Sequence, residues 1–143
     1  MAYGLWLKAQ GSRLKAYAVL EVAMSRDHRK LRVFQLADTL IIDIYKATKN
    51  FPVEERYGLQ AQIRRAAVSS ASNIVEGSAR RTQREYLHFL NVAAGSAAER
   101  RYLIGLSHRL GFLTEQHEKE FDPRCAELLG GLVKLINSLS LEP

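Results

Sequence analysis

The sequence contains few of the residues that are typical of disulfide-bonded, loop-rich or membrane-spanning proteins. Its 143 residues include one cysteine and three prolines, which excludes a disulfide framework and a cysteine-rich zinc site. No apolar run approaches the ~20 residues of a transmembrane helix; Leu40-Ile41-Ile42, for example, ends at Asp43. Residues 1–22 also lack the apolar core and the cleavage site of a signal peptide. We therefore expect a cytoplasmic protein that does not enter a membrane.

Motifs of common enzyme and cofactor sites are missing as well. The sequence has no glycine-rich phosphate-binding motif, and no two of its four histidines have the spacing of metal ligands. Glu85 and His88 have the Glu-x-x-His spacing of di-iron bundles, but a second copy is missing. Cys125 falls on an apolar helical stripe, where a free cysteine usually acts as a small hydrophobic residue. We predict no catalytic residue, no metal and no cofactor, and a protein that is not an enzyme.

Apolar residues recur at helical spacing along four segments, and no stretch alternates with period two over more than a few residues. Helix 1 is predicted over residues 31–49 and helix 2 over residues 53–78, because Pro52 cannot continue the first helix and suits the first turn of the next. Small residues at 66–72 and 93–98 predict close packing of helices 2 and 3.

Helix 3 has the clearest start signal, since Thr82-Gln83-Arg84-Glu85 is a capping box. The helix is predicted to extend to Gly111. Asp122-Pro123 is predicted to cap and open the main part of helix 4, after a short helical turn over residues 115–121. The predicted fold class is all-α, an antiparallel, up-down-up-down, left-handed four-helix bundle.

Two glycines are assigned roles in this plan. Gly77 is expected to end helix 2. Gly95 lies inside helix 3, where glycine costs up to ~1 kcal/mol, and we therefore expect it at the close contact with helix 2.

The first 25 residues do not fit the bundle pattern. They are predicted to form a loosely attached N-terminal arm, and residues 26–143 the bundle domain. Two interpretations of the arm stay open. Either Met24 is the natural start and residues 1–23 are an over-long gene prediction, or the segment is a flexible arm or an extra helix over residues 13–24.

Positive charge is concentrated in the middle of the chain. The sequence has 21 Lys and Arg residues against 15 Asp and Glu residues, a net charge of +6. Residues 56–109 hold nine arginines and three acidic residues, whereas residues 110–143 hold three basic and six acidic residues. Arginine matches a phosphate bidentately. The residues predicted to bind nucleic acid are Arg64, Arg80, Arg81, Arg84, Arg100 and Arg101. The alternative is a solvated surface whose arginines form intrahelical and intersubunit ion pairs.

Several polar residues lie close to the predicted packing faces of helices 2 and 3. Asn73, Glu76 and Glu99 are predicted to form a buried hydrogen-bonded network with Arg65 or with a neighbouring subunit. A structural role, in which the network fixes the register and the assembly, is favoured over a role in lining a site.

Three stretches of the sequence resemble one known family. They are Phe51-Pro52-x-x-Glu55-x-Tyr57-Gly58-Leu59-x-x-Gln62-Ile63-Arg64-Arg65-Ala66, then Ser69-x-x-x-Asn73-Ile74-x-Glu76-Gly77-Ser78, then Phe89-Leu90 followed by Gly95-Ser96-x-x-Glu99. Together they are similar to the four-helix-bundle proteins related to those encoded in intervening sequences of bacterial 23S ribosomal RNA genes. The resemblance covers about residues 26–139.

The resemblance implies an antiparallel, left-handed bundle that assembles as a homopentamer around a central channel. A similar protein is an accessory factor of diversity-generating retroelements, where a basic pentamer engages a reverse transcriptase and nucleic acid. This chain departs from the family pattern at Arg100 and Arg101, which follow the Gly-Ser-x-x-Glu element where an acidic or neutral stretch is common. The departure predicts a more basic helix 3.

Two functional hypotheses result. The first is a non-enzymatic oligomeric scaffold, such as an accessory factor in the sense above, that binds RNA or DNA. The second is a protein–protein interaction module that has no nucleic-acid role and docks a partner, such as a reverse transcriptase by analogy. The apolar face of helix 1 is wide enough for the bundle core and a second contact, so both hypotheses include a homo-oligomer.

Overall fold

The computed structural model describes residues 26–140, and four long helices hold most of them. Two short 3-10 turns, His28–Lys30 and Val53–Glu55, precede the first and second helices. No strand occurs between residues 26 and 140, and the predicted all-α four-helix fold is confirmed. The predicted arm over residues 1–25 lies outside the described residues. The helices are α1 (Arg32–Thr48), α2 (Leu59–Ser78), α3 (Gln83–Arg109) and α4 (Glu115–Ser140).

The four helices surround one apolar core. Each helix packs against the next along the chain, and α4 also packs against α1. The α2–α3 contact is the most extensive. Residues at helical spacing fill the interior, among them Leu40, Ile63, Leu90 and Leu128, all fully buried. The up-down order and the left-handed twist of the bundle stay predictions. No helix among the described residues is long and apolar enough to cross a membrane.

The capping box predicted at the start of α3 is present. The Thr82 hydroxyl accepts a hydrogen bond from the Glu85 backbone N–H at 3.2 Å, and the Glu85 carboxylate accepts one from the Thr82 N–H at 3.4 Å. The Thr82 hydroxyl also donates to that carboxylate at 2.8 Å, which lowers the pKa of Glu85.

The second helix begins later than predicted. Residues 53–55 form only a 3-10 turn, and α2 starts at Leu59 after a non-helical Gly58. The Glu55 side chain accepts a hydrogen bond from the Leu59 N–H at 2.8 Å, which satisfies one of the unpaired donors at the helix start. A Cβ at Gly58 would lie 2.7 Å from the Glu55 carboxylate, so the glycine leaves room for this cap.

The predicted start of the fourth helix at Asp122-Pro123 is wrong. The helix α4 begins at Glu115 and runs through Pro123. Its start is stabilised instead by Thr114 and His117, since the Thr114 hydroxyl accepts from the His117 N–H and the His117 ring accepts from the Thr114 N–H. Asp122 does not cap; its carboxylate binds Arg101.

The glycine predictions also need correction. Gly77 does not end α2 but lies buried within it, where a Cβ would stand 2.9 Å from the Cβ of Phe89. Gly95 is exposed, and no atom lies within 4 Å of a Cβ built on it. The small residues of the two helices do meet, since the Ser69 and Ser96 hydroxyls are hydrogen-bonded at 2.9 Å. The close contact between α2 and α3 therefore includes Ser96 and not the neighbouring Gly95.

Candidate nucleic-acid interface

The six arginines predicted to bind nucleic acid do not form one surface. Arg64 lies in the first half of α2, whereas Arg80, Arg81 and Arg84 surround the link between α2 and α3. Arg80 follows Arg64 by sixteen positions, which correspond to roughly 24 Å along a helix. We name the three arginines at the link the link cluster. The two groups therefore face separate regions of any ligand.

The prediction that Arg100 binds nucleic acid is wrong. Arg100 is buried and cannot contact a ligand bound at the protein surface. Its side chain is 0% exposed in the bundle core. Its Nη1 donates to the Ser70 hydroxyl at 3.2 Å, while Nε and Nη2 have no hydrogen-bond partner. Burial lowers the pKa of Arg100, and the neighbouring Cys125 thiol partly offsets this. Successive residues point about 100° apart around a helix, so Arg100 and Arg101 face opposite environments and α3 is less basic outside than predicted.

Arg101 lies on the surface but its charge is paired. Its Nε and Nη2 donate to the two carboxylate oxygens of Asp122 at 2.7 and 3.1 Å. This fork-shaped pair connects α3 to α4. It raises the pKa of Arg101 and lowers the pKa of Asp122. Arg101 therefore contributes to the α3–α4 contact more than to a free positive surface.

The link cluster is partly neutralised. Arg80 forms an ion pair with Glu76, and its guanidinium carbon lies 4.7 Å from the centre of the Phe89 ring. Arg81 and Arg84 are exposed, and neither forms an ion pair with any residue from 26 to 140. Two of the three predicted charges at the link are thus available to a phosphate.

Arg64 is held in place by neutral groups. Its Nε donates to the Thr48 hydroxyl at 2.9 Å, and its Nη2 donates to the Tyr45 carbonyl at 3.1 Å. The guanidinium carbon also lies 4.5 Å from the centre of the Tyr45 ring, within the range of a cation–π contact. No carboxylate in the described part of the chain neutralises this half-buried cation.

Arg64 belongs to a groove that the sequence reasoning missed. An open groove of about 950 Å³ lies between the end of α1, the link after it and the first half of α2. No carboxylate among the described residues lines it. We name it the cationic groove, after its four basic residues Lys49, Arg56, Arg64 and Arg65. The separation of Lys49 and Arg56 from Arg64-Arg65 along the chain concealed the cluster, although the adjacent arginines and the two cations on either side of Pro52 were visible in the sequence.

The predicted polar network does not form within residues 26–140, because no hydrogen bond or ion pair joins any two of Arg65, Asn73, Glu76 and Glu99. The Asn73 side chain donates to the Ser69 carbonyl at 2.8 Å and to the Ser69 hydroxyl at 3.0 Å. Glu76 binds Arg80 instead. Arg65 and Glu99 are exposed and take no part in a hydrogen bond or ion pair between described residues. Asn73 and its serine neighbours therefore connect α2 to α3, and a bond from Arg65 or Glu99 to a neighbouring subunit stays a prediction.

The remaining chemical groups are engaged in structure. Cys125 is buried, and burial raises the pKa of its thiol, so the thiol is protonated and a poor nucleophile at neutral pH. Within residues 26–140, no group of three or more His, Cys, Asp and Glu residues is placed to hold a metal ion. The cations are the remaining candidates for binding.

Comparison with known proteins gives two findings. The family model described as 23S rRNA-intervening sequence protein matches residues 29–134. The fold is similar to the crystal structure of a protein with unknown function from the S23 ribosomal protein family of Bacteroides thetaiotaomicron. The TM-score is 0.65 and the sequence identity 22%, over 73% of this chain and 97% of that chain, so this likeness shows the fold alone. No curated protein matches the chain.

Proposed function

Since this chain belongs to the 23S rRNA-intervening sequence protein family, we propose for it a role as a non-enzymatic, oligomeric protein that binds RNA or DNA. The uneven distribution of ion pairs carries the proposal. Five of the seven ion pairs that Lys and Arg form between described residues include a residue of α4. The four cations of the cationic groove and the exposed Arg81 and Arg84 form none. The positive charge on the α2 side is therefore free to attract phosphates.

A salt series with a generic RNA tests this proposal. Affinity should fall as salt rises, with a logarithmic slope of about −0.7 to −0.9 for each phosphate contact. Arg81→Gln with Arg84→Gln should weaken binding and reduce the slope. The matched control, Arg32→Gln with Lys119→Gln, removes two cations that are already paired with Glu127 and Glu115. Binding that does not weaken with salt, or an equal loss in both double variants, would contradict the proposal.

Self-association is the second part of the proposal. Ile42 on α1 is 56% exposed and lies outside the lining of the cationic groove, so this helix has apolar surface beyond the bundle core that a second copy could cover. The family resemblance favours a homopentamer. Sedimentation equilibrium should detect an oligomer at micromolar concentration, and a stable monomer there would overturn this part.

A protein-interaction module is the alternative function. The observation in its favour is the exposed apolar surface at the α1–α2 link, where Tyr57 is 90% exposed and Val53 69%. A protein partner, such as a reverse transcriptase, would cover these side chains. The salt series decides between the two, since a chain that binds no RNA even at low salt supports the alternative.

A further inference from the structure

The cationic groove concentrates like charges that lack a counter-charge within the chain. Lys49 follows the end of α1, Arg56 lies in the link, and Arg64 and Arg65 lie on α2. Like charges that line one groove repel each other, and no carboxylate among the described lining residues compensates them. Binding of an anion with several charges would remove this repulsion, which a single carboxylate would not.

The Arg64 side chain is held in position before any anion binds. A guanidinium has five N–H donors, and two of the Arg64 donors are used for Thr48 and Tyr45. The other three stay available, while the two bonds and the Tyr45 ring restrict the side chain. A ligand therefore meets a cation that has already lost part of its conformational freedom. Because both acceptors are neutral, the full positive charge remains.

The lining of the groove is also partly apolar. Tyr45 and Val68 are each 41% exposed and Val53 69%; the half-buried Pro52 and Ala61 and the buried Phe51 also line the groove. Cations that follow a backbone, beside aromatic and apolar side chains that contact bases, are typical of grooves for single-stranded nucleic acid. A duplex keeps its bases stacked inside, so only the cations at the rim would contact it.

We propose that the cationic groove binds a segment of single-stranded nucleic acid, with phosphates on the four cations and bases against the apolar lining. The inference rests on the proposed function and deepens it, because it names the site and the form of the ligand. From Gln60 to Ser72 the groove follows about 18 Å of α2. A strand of several nucleotides fits this length, but the groove does not extend to the link cluster. A short strand should therefore depend on the groove alone.

Fluorescence anisotropy with a labelled oligouridylate of about six nucleotides tests the inference. At equal phosphate concentration, unlabelled oligouridylate should displace this probe more effectively than a blunt-ended RNA duplex of about twelve base pairs. Arg56→Gln with Arg65→Gln should weaken binding about tenfold and reduce the salt slope by about 1.4, or 0.7 for each lost contact. Neither side chain forms a hydrogen bond or ion pair with a described residue, and unchanged circular dichroism and sedimentation will show that the fold and the oligomer are intact.

Arg81→Gln with Arg84→Gln is the matched control at the other end of α2, and it should leave binding of the short probe unchanged. If the long generic RNA binds but the short probe does not, or if both double variants weaken the short probe equally, the groove inference is overturned and the proposed function stands. Equal affinity for the duplex overturns the preference for single strands. If neither RNA binds at low salt, both proposals fail.

Photo-cross-linking supplies a test that needs no substitution. An oligouridylate with one thiouridine should cross-link to peptides within residues 45–72. Cross-links confined to residues 80–89 would place the strand on the link cluster and overturn the inference.

Discussion

The α4 side and the α2 side of the bundle use their arginines in different ways. On the α4 side, Arg32, Arg101 and Arg124 pair with carboxylates of a neighbouring helix. On the α2 side, the hydrogen bonds of Arg64 go to neutral groups. The net charge of +6 is therefore a poor guide to where a polyanion binds. Paired arginines connect helices, and unpaired ones leave a positive field.

Placing carboxylates in the groove should abolish the difference between the two sides. Val68→Glu with Ser72→Glu adds two negative charges to the cationic groove, so RNA affinity should fall on the order of 100-fold. Val133→Glu with Ser138→Glu makes the same two exchanges on exposed positions of α4 and should change affinity about threefold or less. Anisotropy at fixed salt compares them. Equal losses would mean that only the total charge matters.

The two sides also differ in the kind of atom that faces a closely packed glycine. A Cβ at Gly77 would lie 2.9 Å from the Cβ of Phe89, and one at Gly131 would lie 2.9 Å from a methyl group of Val33. A Cβ is fixed to its backbone, whereas a methyl group can move. Gly77→Ala should therefore destabilise the chain by about 1–3 kcal/mol, and Gly131→Ala by less.

Urea unfolding measures both changes. Gly95→Ala is the control, because its new methyl group meets open space and alanine should gain up to ~1 kcal/mol in helix propensity. A larger loss at Gly131 than at Gly77 would reverse the comparison and identify the α1–α4 contact as the more rigid one.

Arg100 tests whether a cation inside the bundle matters to binding. Between residues 26 and 140, the Ser70 hydroxyl is the one hydrogen-bond partner of this buried charge. Replacing a buried charge with an apolar residue of similar length is often stabilising. Arg100→Met should therefore raise the free energy of unfolding by on the order of 1 kcal/mol and leave RNA affinity unchanged. Arg100→Ala, which leaves a cavity, should destabilise. Weaker RNA binding by a folded Arg100→Met variant would contradict the separation of core and surface charge.

The smallest effect is expected for the α4-side pair between Arg101 and Asp122. Arg101 lowers the pKa of Asp122, so the folded state favours the carboxylate. Its contribution to stability is complete above the ordinary aspartate pKa of about 3.9 and is lost as the pH falls through the lowered value. Because the pair is exposed, Asp122→Asn should cost about 0–1 kcal/mol at neutral pH.

Urea midpoints between neutral and acidic pH measure this contribution. The wild-type chain should lose stability more steeply than Asp122→Asn in acid. Parallel curves would mean that the pair contributes nothing to stability. Asp122→Asn also leaves Arg101 without its carboxylate partner, so the variant should bind RNA slightly more tightly than the wild-type chain. This increase in affinity is a second check on the comparison.

Local signals predicted most of the fold. The capping box at Thr82 and the apolar periodicity identified four helices because both depend on neighbours in the sequence. The start of α4 was misplaced since Asp122-Pro123 is a local cap signal that the contact with Arg101 overrides. The cationic groove stayed hidden because it depends on how the chain turns at Pro52. Arg100 was misjudged because its burial depends on packing against α2 and α4, where Ser70 and Cys125 lie beside it.

Pro123 divides α4 into two parts whose amide hydrogens should exchange with solvent at different rates. Proline has no N–H, so the helical hydrogen bond to the Lys119 carbonyl cannot form, and the first two turns of α4 are joined to the rest by one bond fewer. Those turns are attached to α3 through the side chains of His108 and Arg101. Amides of residues 116–122 should therefore exchange sooner than those of residues 125–132, which lie against the core. The continuous helix then consists of two segments that open separately.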